Sequence, residues 1–111
     1  MANKTTSRSV DFAAINRAAL RVLPAILKRL LPDGKVAGGE FVARNPRRAD
    51  RTPGSFSINM RSGRWADFAV GDKGGDPIGL VAYIENVSQL EAARRLARML
   101  GLDAGRGVRR A

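Results

Sequence analysis

The residues best equipped for chemistry in this chain are its arginines, and they crowd one segment. Arg44, Arg47, Arg48 and Arg51 lie in the loop sequence "RNPRRADRTPG", while Arg61 and Arg64 flank the next turn, "RSGR", just ahead of Trp65. Cations that follow a phosphate backbone, beside an aromatic ring on which a base stacks, are the elements of single-strand recognition. Lys73, in "GDKGGD", adds a further charge. The competing expectation is that Trp65 and Phe68 are core side chains and the arginines a solvated rim. Phe68 is expected in the core; for Trp65 both readings stand, because strand periodicity separates two faces without saying which is covered.

Other candidates are weaker. "GDKGGD" precedes a helix, where free amides and the dipole favour an anion. It lacks the order Gly-x-x-x-x-Gly-Lys-Ser/Thr, and Asp72 and Asp76 would repel a phosphate, so it reads as a structural turn with a phosphate-backbone contact as the alternative. Asp67, Asp72 and Asp76 offer hard oxygen ligands of the kind Mg²⁺ takes, but each also reads as an ordinary strand, turn or cap residue, and no metal or other cofactor is expected. The chain has no Cys and no His, which removes disulfides, the ordinary zinc ligands and the usual nucleophile-base pairs. A non-enzymatic protein is therefore expected.

Twenty Lys and Arg against ten Asp and Glu give a formal charge of +10 over 111 residues, far beyond what solubility needs, and point to a polyanionic partner. That length suits one domain with a single modest core. Residues 1–9 and 103–111 lack apolar periodicity and are expected to be flexible, the second as a basic tail carrying Arg106, Arg109 and Arg110. No apolar run approaches a membrane span, and "MANKTTSRS" lacks the apolar stretch of a secretion signal, so a cytoplasmic protein with no membrane partner is expected.

The elements that must position the arginines follow from periodicity. Phe12, Ile15, Ala19, Val22, Ile26 and Leu30 recur at helical spacing after Asp11, a suitable N-cap, and Pro24 inside the pattern predicts a kink or a second helix that it opens. "PDG" at Pro32 to Gly34 ends this helical region, residues 10–31. Residues 41–44 form a short strand candidate. "SFSINM" alternates strictly, and "WADFAV" returns as its hairpin partner with Gly63 in the turn, so a small antiparallel sheet is predicted over 36–70. Asp76 then caps a helix begun by Pro77. Ser88 with Glu91 forms a capping box for a second helix whose stripe is Leu90, Ala93, Leu96, Ala97 and Leu100, closed by Gly101; together these occupy 76–101. The predicted fold class is α+β: one domain over 10–102, its sheet packed with N-terminal and C-terminal helices.

Over roughly residues 41–101 the chain resembles the N-terminal zinc-finger domain of bacterial and phage DNA primases. Thr52, Pro53, Ser55, Phe56 and Ser57 match that family's first strand, with Gly54 inserted; Gly74, Gly75 and Asp76 match its helix entry; Glu91, Ala92 and Ala93 match its last helix. Where the family places its metal ligands this chain has approximately Asn45, Arg48, Asp67 and Val70, a set unable to build a Zn²⁺ tetrahedron. The resemblance is thus to a zinc-ribbon-like hairpin without its zinc, of the kind that heads phage and satellite-element primase-helicases. It implies single-stranded DNA template binding in the replication of a phage, plasmid or other mobile element, in company with a primase, helicase or other replication protein. The catalytic domain such modules precede is not among these residues, so no primase activity is implied. With the metal gone, residues 12–31 are expected to supply the missing stability by packing on the sheet.

The expected interface is Arg44, Arg47, Arg48, Arg51, Arg61, Arg64 and Lys73 on phosphates, with Trp65 stacking a base. The rival expectation is a protein-interaction module or inhibitor that docks on a replication or other nucleic-acid-handling enzyme. A duplex-binding regulator is disfavoured, since the last two helices have continuous apolar faces and no helix-turn-helix emerges.

Overall fold

The computed structural model describes residues 10–47 and 54–102. Helix α1, Phe12–Arg21, begins where Asp11 Oδ1 accepts the amide of Ala14 at 3.0 Å, and buries Ile15 and Ala19. Helix α2, Leu23–Leu30, follows after Val22 alone, with Pro24 in its first turn, where the missing amide has no intrahelical role. The proline thus splits the amphipathic stretch in two, as its position predicts.

Five strands come next: β1 Lys35–Ala37, β2 Glu40–Ala43, β3 Phe56–Asn59, β4 Trp65–Asp67 and β5 Asp72–Gly74. They form an antiparallel meander in sequence order, with Phe41 opposite Ile58, Ile58 opposite Trp65, Ser57 opposite Ala66 and Ala66 opposite Lys73. The sheet therefore runs beyond the predicted 36–70 by one edge strand. Residues 72–74 of "GDKGGD" are not only a turn: they pair with β4, and Gly74 is required there because the indole of Trp65 lies where a Cβ would stand, about 2.4 Å away.

Strand alternation gives the sheet two different faces. Phe41, Ala43, Phe56, Ile58, Trp65 and Asp67 point inward and are buried, while Glu40, Val42, Ser57, Asn59, Ala66 and Lys73 share the opposite face. Helix α3, Pro77–Glu85, is capped by Asp76, whose Oδ1 accepts the amide of Gly79 at 2.7 Å. Helix α4, Gln89–Met99, is capped by Ser88, and Gly101, at φ +75°, turns the chain out of it. Helix α1 packs chiefly on α3 and α4, where Asn16 Oδ1 accepts the amide of Ile78 at 3.0 Å. The first helix thus completes the core largely through the other helices rather than by lying on the sheet. Ile15, Leu23, Ile26, Leu27 and Leu31 join Phe56, Ile58, Ile78 and Leu96 in one cluster. The architecture is α+β, and among the described residues no helix is long and apolar enough to cross a membrane.

Candidate nucleic-acid interface

Behind the sheet lies a closed polar network. Asn45, 1 % exposed, donates from Nδ2 to Asp67 Oδ2 and to the Tyr83 hydroxyl, both at 2.7 Å, and Tyr83 donates in turn to Asp72 Oδ2 at 2.7 Å. Asp67 Oδ1 accepts the amide of Ala69 at 2.9 Å, and Asn45 Oδ1 accepts that of Arg47 at 2.8 Å. The loop after β2, the β4–β5 turn and α3 are joined at this point. Burial, followed by the hydrogen bond to Asp72, raises the Tyr83 pKa above the ordinary tyrosine value. The Tyr83 ring stacks obliquely on Trp65 at 4.8 Å and near Phe56 at 5.9 Å, so this network seals the aromatic end of the core.

The opposite face is open. A trough of about 530 Å³ is lined by Arg61, Arg64, Lys73 and Phe68 around Glu40, Ser57, Asn59 and Ala66. Gly63, at φ +80°, closes the β3–β4 turn, whose amides at Arg61 and Ser62 are held by Asn59 Oδ1 at 3.0 and 2.8 Å. That turn fixes the two arginines at one end of the trough. Phe68, immediately after β4, borders the trough and is 75 % exposed. The Phe68 amide donates to the Ser55 carbonyl at 2.8 Å, so the backbone that carries the ring is anchored although the ring itself is bare.

Four of the expected interface residues therefore line the trough: Arg61, Arg64, Lys73 and Trp65. Trp65 does not belong with them as a stacking residue. It is only 6 % exposed, on the covered face, packed against Phe56, Tyr83 and Gly74, which leaves little of the ring for a base. Phe68, expected in the core, is the exposed aromatic instead. Arg47 is engaged elsewhere: its guanidinium lies 5.1 Å over the Tyr83 ring and donates to the Tyr83 carbonyl at 2.9 Å. Arg44 is exposed beside a separate hollow lined by Leu30, Leu31, Pro32 and Asn45. Arg48 and Arg51 lie outside the described residues, as do the two chain ends.

The hydrogen bonds at the start of α3 weigh against a phosphate on the helix amides themselves. Pro77 has no amide, that of Ile78 goes to Asn16, that of Gly79 to the Asp76 carboxylate and that of Leu80 to the Asp76 carbonyl. The helix's own amides at Ile78 and Gly79 are thus spent within the protein. Asp67 and Asp72 are tied through Asn45 and Tyr83 while Asp76 caps α3, and among the described residues no group of three acidic side chains is placed to hold a metal ion.

Fold and site together describe a small α+β module with one covered and one open sheet face, the open one basic and carrying a bare aromatic. No protein-family model matches the chain, and no curated protein matches it.

Proposed function

We propose that the open face of the sheet is a platform for single-stranded nucleic acid, and that the protein is a non-enzymatic, cytoplasmic module that binds single-stranded DNA template in the replication of a phage, plasmid or other mobile element. The observation that carries this reading is the grouping of Phe68, 75 % exposed, with Arg61, Arg64 and Lys73 around one trough. A flat ring supplies sequence-tolerant stacking, and cations beside it track the phosphates. The formal charge of +10 supports a polyanionic partner. The resemblance to primase zinc fingers supports it too: Asn45 and Asp67, approximately where the family places two of its ligands, are joined by a hydrogen bond of 2.7 Å that serves as a crosslink where the family uses a metal.

Fluorescence anisotropy with labelled single-stranded DNA, RNA and duplex oligomers tests this. Arg61→Ala with Arg64→Ala should weaken binding and reduce the slope of log K against log salt by about 0.7 for each phosphate that an arginine no longer neutralises. Phe68→Ala should cost about 1–3 kcal/mol of affinity while leaving that slope unchanged. Single-strand affinity that survives all three substitutions would place binding elsewhere.

A second reading, docking on a replication or other nucleic-acid-handling enzyme, is favoured by Val70, 54 % exposed close to Phe68 on the same turn. An aliphatic side chain adds nothing to base stacking. Loss of partner binding, but not of DNA binding, in Val70→Ser would favour this reading.

A further inference from the structure

The trough contains one group that a phosphate-binding surface has no use for. Glu40, at the start of β2, points onto the open face and lines the trough with Arg61, Arg64, Lys73 and Phe68. Its carboxylate is held at both oxygens by neutral donors: Ser57 Oγ donates to Oε1 at 2.7 Å, and Asn59 Nδ2 donates to Oε2 at 2.9 Å. Asn59 is itself fixed, because its Oδ1 accepts the amides of Arg61 and Ser62. Side-chain and backbone groups thus hold one carboxylate in a defined orientation. None of the trough cations forms an ion pair with it among the described residues, where the ion pairs join Arg95 and Arg98 on α4 to Glu85 and Glu91.

A free carboxylate among phosphate contacts repels the backbone they bind. It becomes useful if a base edge, rather than a phosphate, reaches the floor of the trough. Ser57 and Asn59 each occupy one lone-pair direction of Glu40, leaving acceptor capacity on both oxygens. An acceptor-only group of this kind takes donors. Cytosine presents an exocyclic amino group, and guanine and adenine present theirs; thymine and uracil present a single imino N–H between two carbonyl oxygens that a carboxylate repels. On the premise that the trough binds single strands as proposed above, we infer that Glu40 is a specificity-determining residue, which accepts a hydrogen bond from the amino group of a base stacked on Phe68 and discriminates against thymine and uracil. Ser57 and Asn59 are the positioning residues that aim it.

Anisotropy titrations of the full chain with labelled twelve-residue homopolymers of dC and dT, at one salt concentration, isolate the base edge, since the two strands share backbone, charge and ring size. The wild-type protein should prefer dC roughly tenfold, the discrimination expected of one good base-edge contact. In Glu40→Gln the amide can donate to thymine, so the preference should collapse toward unity mainly through tighter dT binding, with the salt slope unchanged. A strand of N4,N4-dimethylcytosine, which lacks the donors, should lose the dC advantage against the unmutated protein, a result independent of how any variant folds. Equal wild-type affinity for dC and dT, or a preference that survives both Glu40→Gln and dimethylation, overturns this assignment while leaving the platform standing. If Glu40→Gln instead tightens both strands equally, the carboxylate merely repels phosphate and the assignment fails. Failure of the wild type to bind either strand at physiological salt defeats the platform itself, and this assignment with it.

Discussion

Two sets of polar side chains sit on opposite faces of the same hairpin, and they are bonded in opposite ways. Behind the sheet, Asn45, Asp67, Tyr83 and Asp72 bond to one another in a chain of 2.7 Å contacts, and Arg47 covers the Tyr83 ring. In front, Glu40, Ser57 and Asn59 bond to each other too, but Glu40 keeps acceptor capacity and Arg61, Arg64 and Lys73 stand exposed around it. The inner set ties a loop, a hairpin and a helix into one unit. The outer set holds its groups in place without exhausting them. Recognition requires the second condition: a rigid arrangement whose hydrogen-bonding valence is still open to a ligand.

The largest test of this division acts on the covered side. Deleting residues 1–31 removes Ile15, Leu23, Ile26, Leu27 and Leu31 from the core, which at roughly 2 kcal/mol for each buried aliphatic side chain is on the order of 10 kcal/mol of gross burial. That is comparable with the whole stability of a small domain. The truncated chain should show no cooperative thermal transition by circular dichroism, and one that still melts cooperatively would mean that the sheet and α3–α4 form a core by themselves. A smaller but still clear effect is expected of Asp67→Ala, which takes the acceptor away from the amide of Ala69 and from one hydrogen of Asn45 Nδ2 in a buried site. It should lower stability by about 3 kcal/mol in urea melts, while Arg64→Ala, on the open face, changes it by less than about 0.5 kcal/mol. Similar losses from both substitutions would erase the distinction between the two faces.

Much of this arrangement is legible in the sequence, and the exceptions have physical causes. The caps at Asp11, Asp76 and Ser88 and the split at Pro24 are local events, governed by residues within one turn, and the structure bears them out. Strand alternation in "SFSINM" correctly divides Phe56 and Ile58 from Ser57 and Asn59. Trp65 and Phe68 are the instructive reversal. Alternation puts them on opposite faces, but only pairing register decides which face is covered. The signal for it lies in "RSGR": a turn over residues 60–63, closed by the Asn59 amide on the Arg64 carbonyl, sets Trp65 opposite Ile58, and so on the apolar face. Strand β5 is hidden because Asp, Lys and Gly are poor strand formers, and Gly74 is selected by the tryptophan ring above it rather than by its own propensity. The Asn45–Asp67 bond joins residues 22 apart in sequence, a distance over which composition and periodicity carry no information.

The subtlest test separates the two polar sets by pH. Burial, the largest cause, and the bond donated to Asp72 both favour the neutral phenol of Tyr83 in the folded protein, and the charge of Asp67 adds to them. A group whose pKa is raised by folding lends its stabilisation in full below its unfolded value, about 10 for tyrosine, and loses it as pH climbs through the folded value. Stability should therefore fall on the alkaline side as the phenolate forms beside two carboxylates. Tyr83→Phe should lower stability near neutral pH by about 1 kcal/mol, for the bonds it removes, yet narrow the gap to wild type at about pH 11. The measurement is a pair of urea melts at each pH, with the difference between the two proteins cancelling the titration of lysines they share. A gap that stays constant from neutral to alkaline pH would show that the Tyr83 hydroxyl does not couple the inner set, and that its closure rests on Asn45 and Asp67 alone.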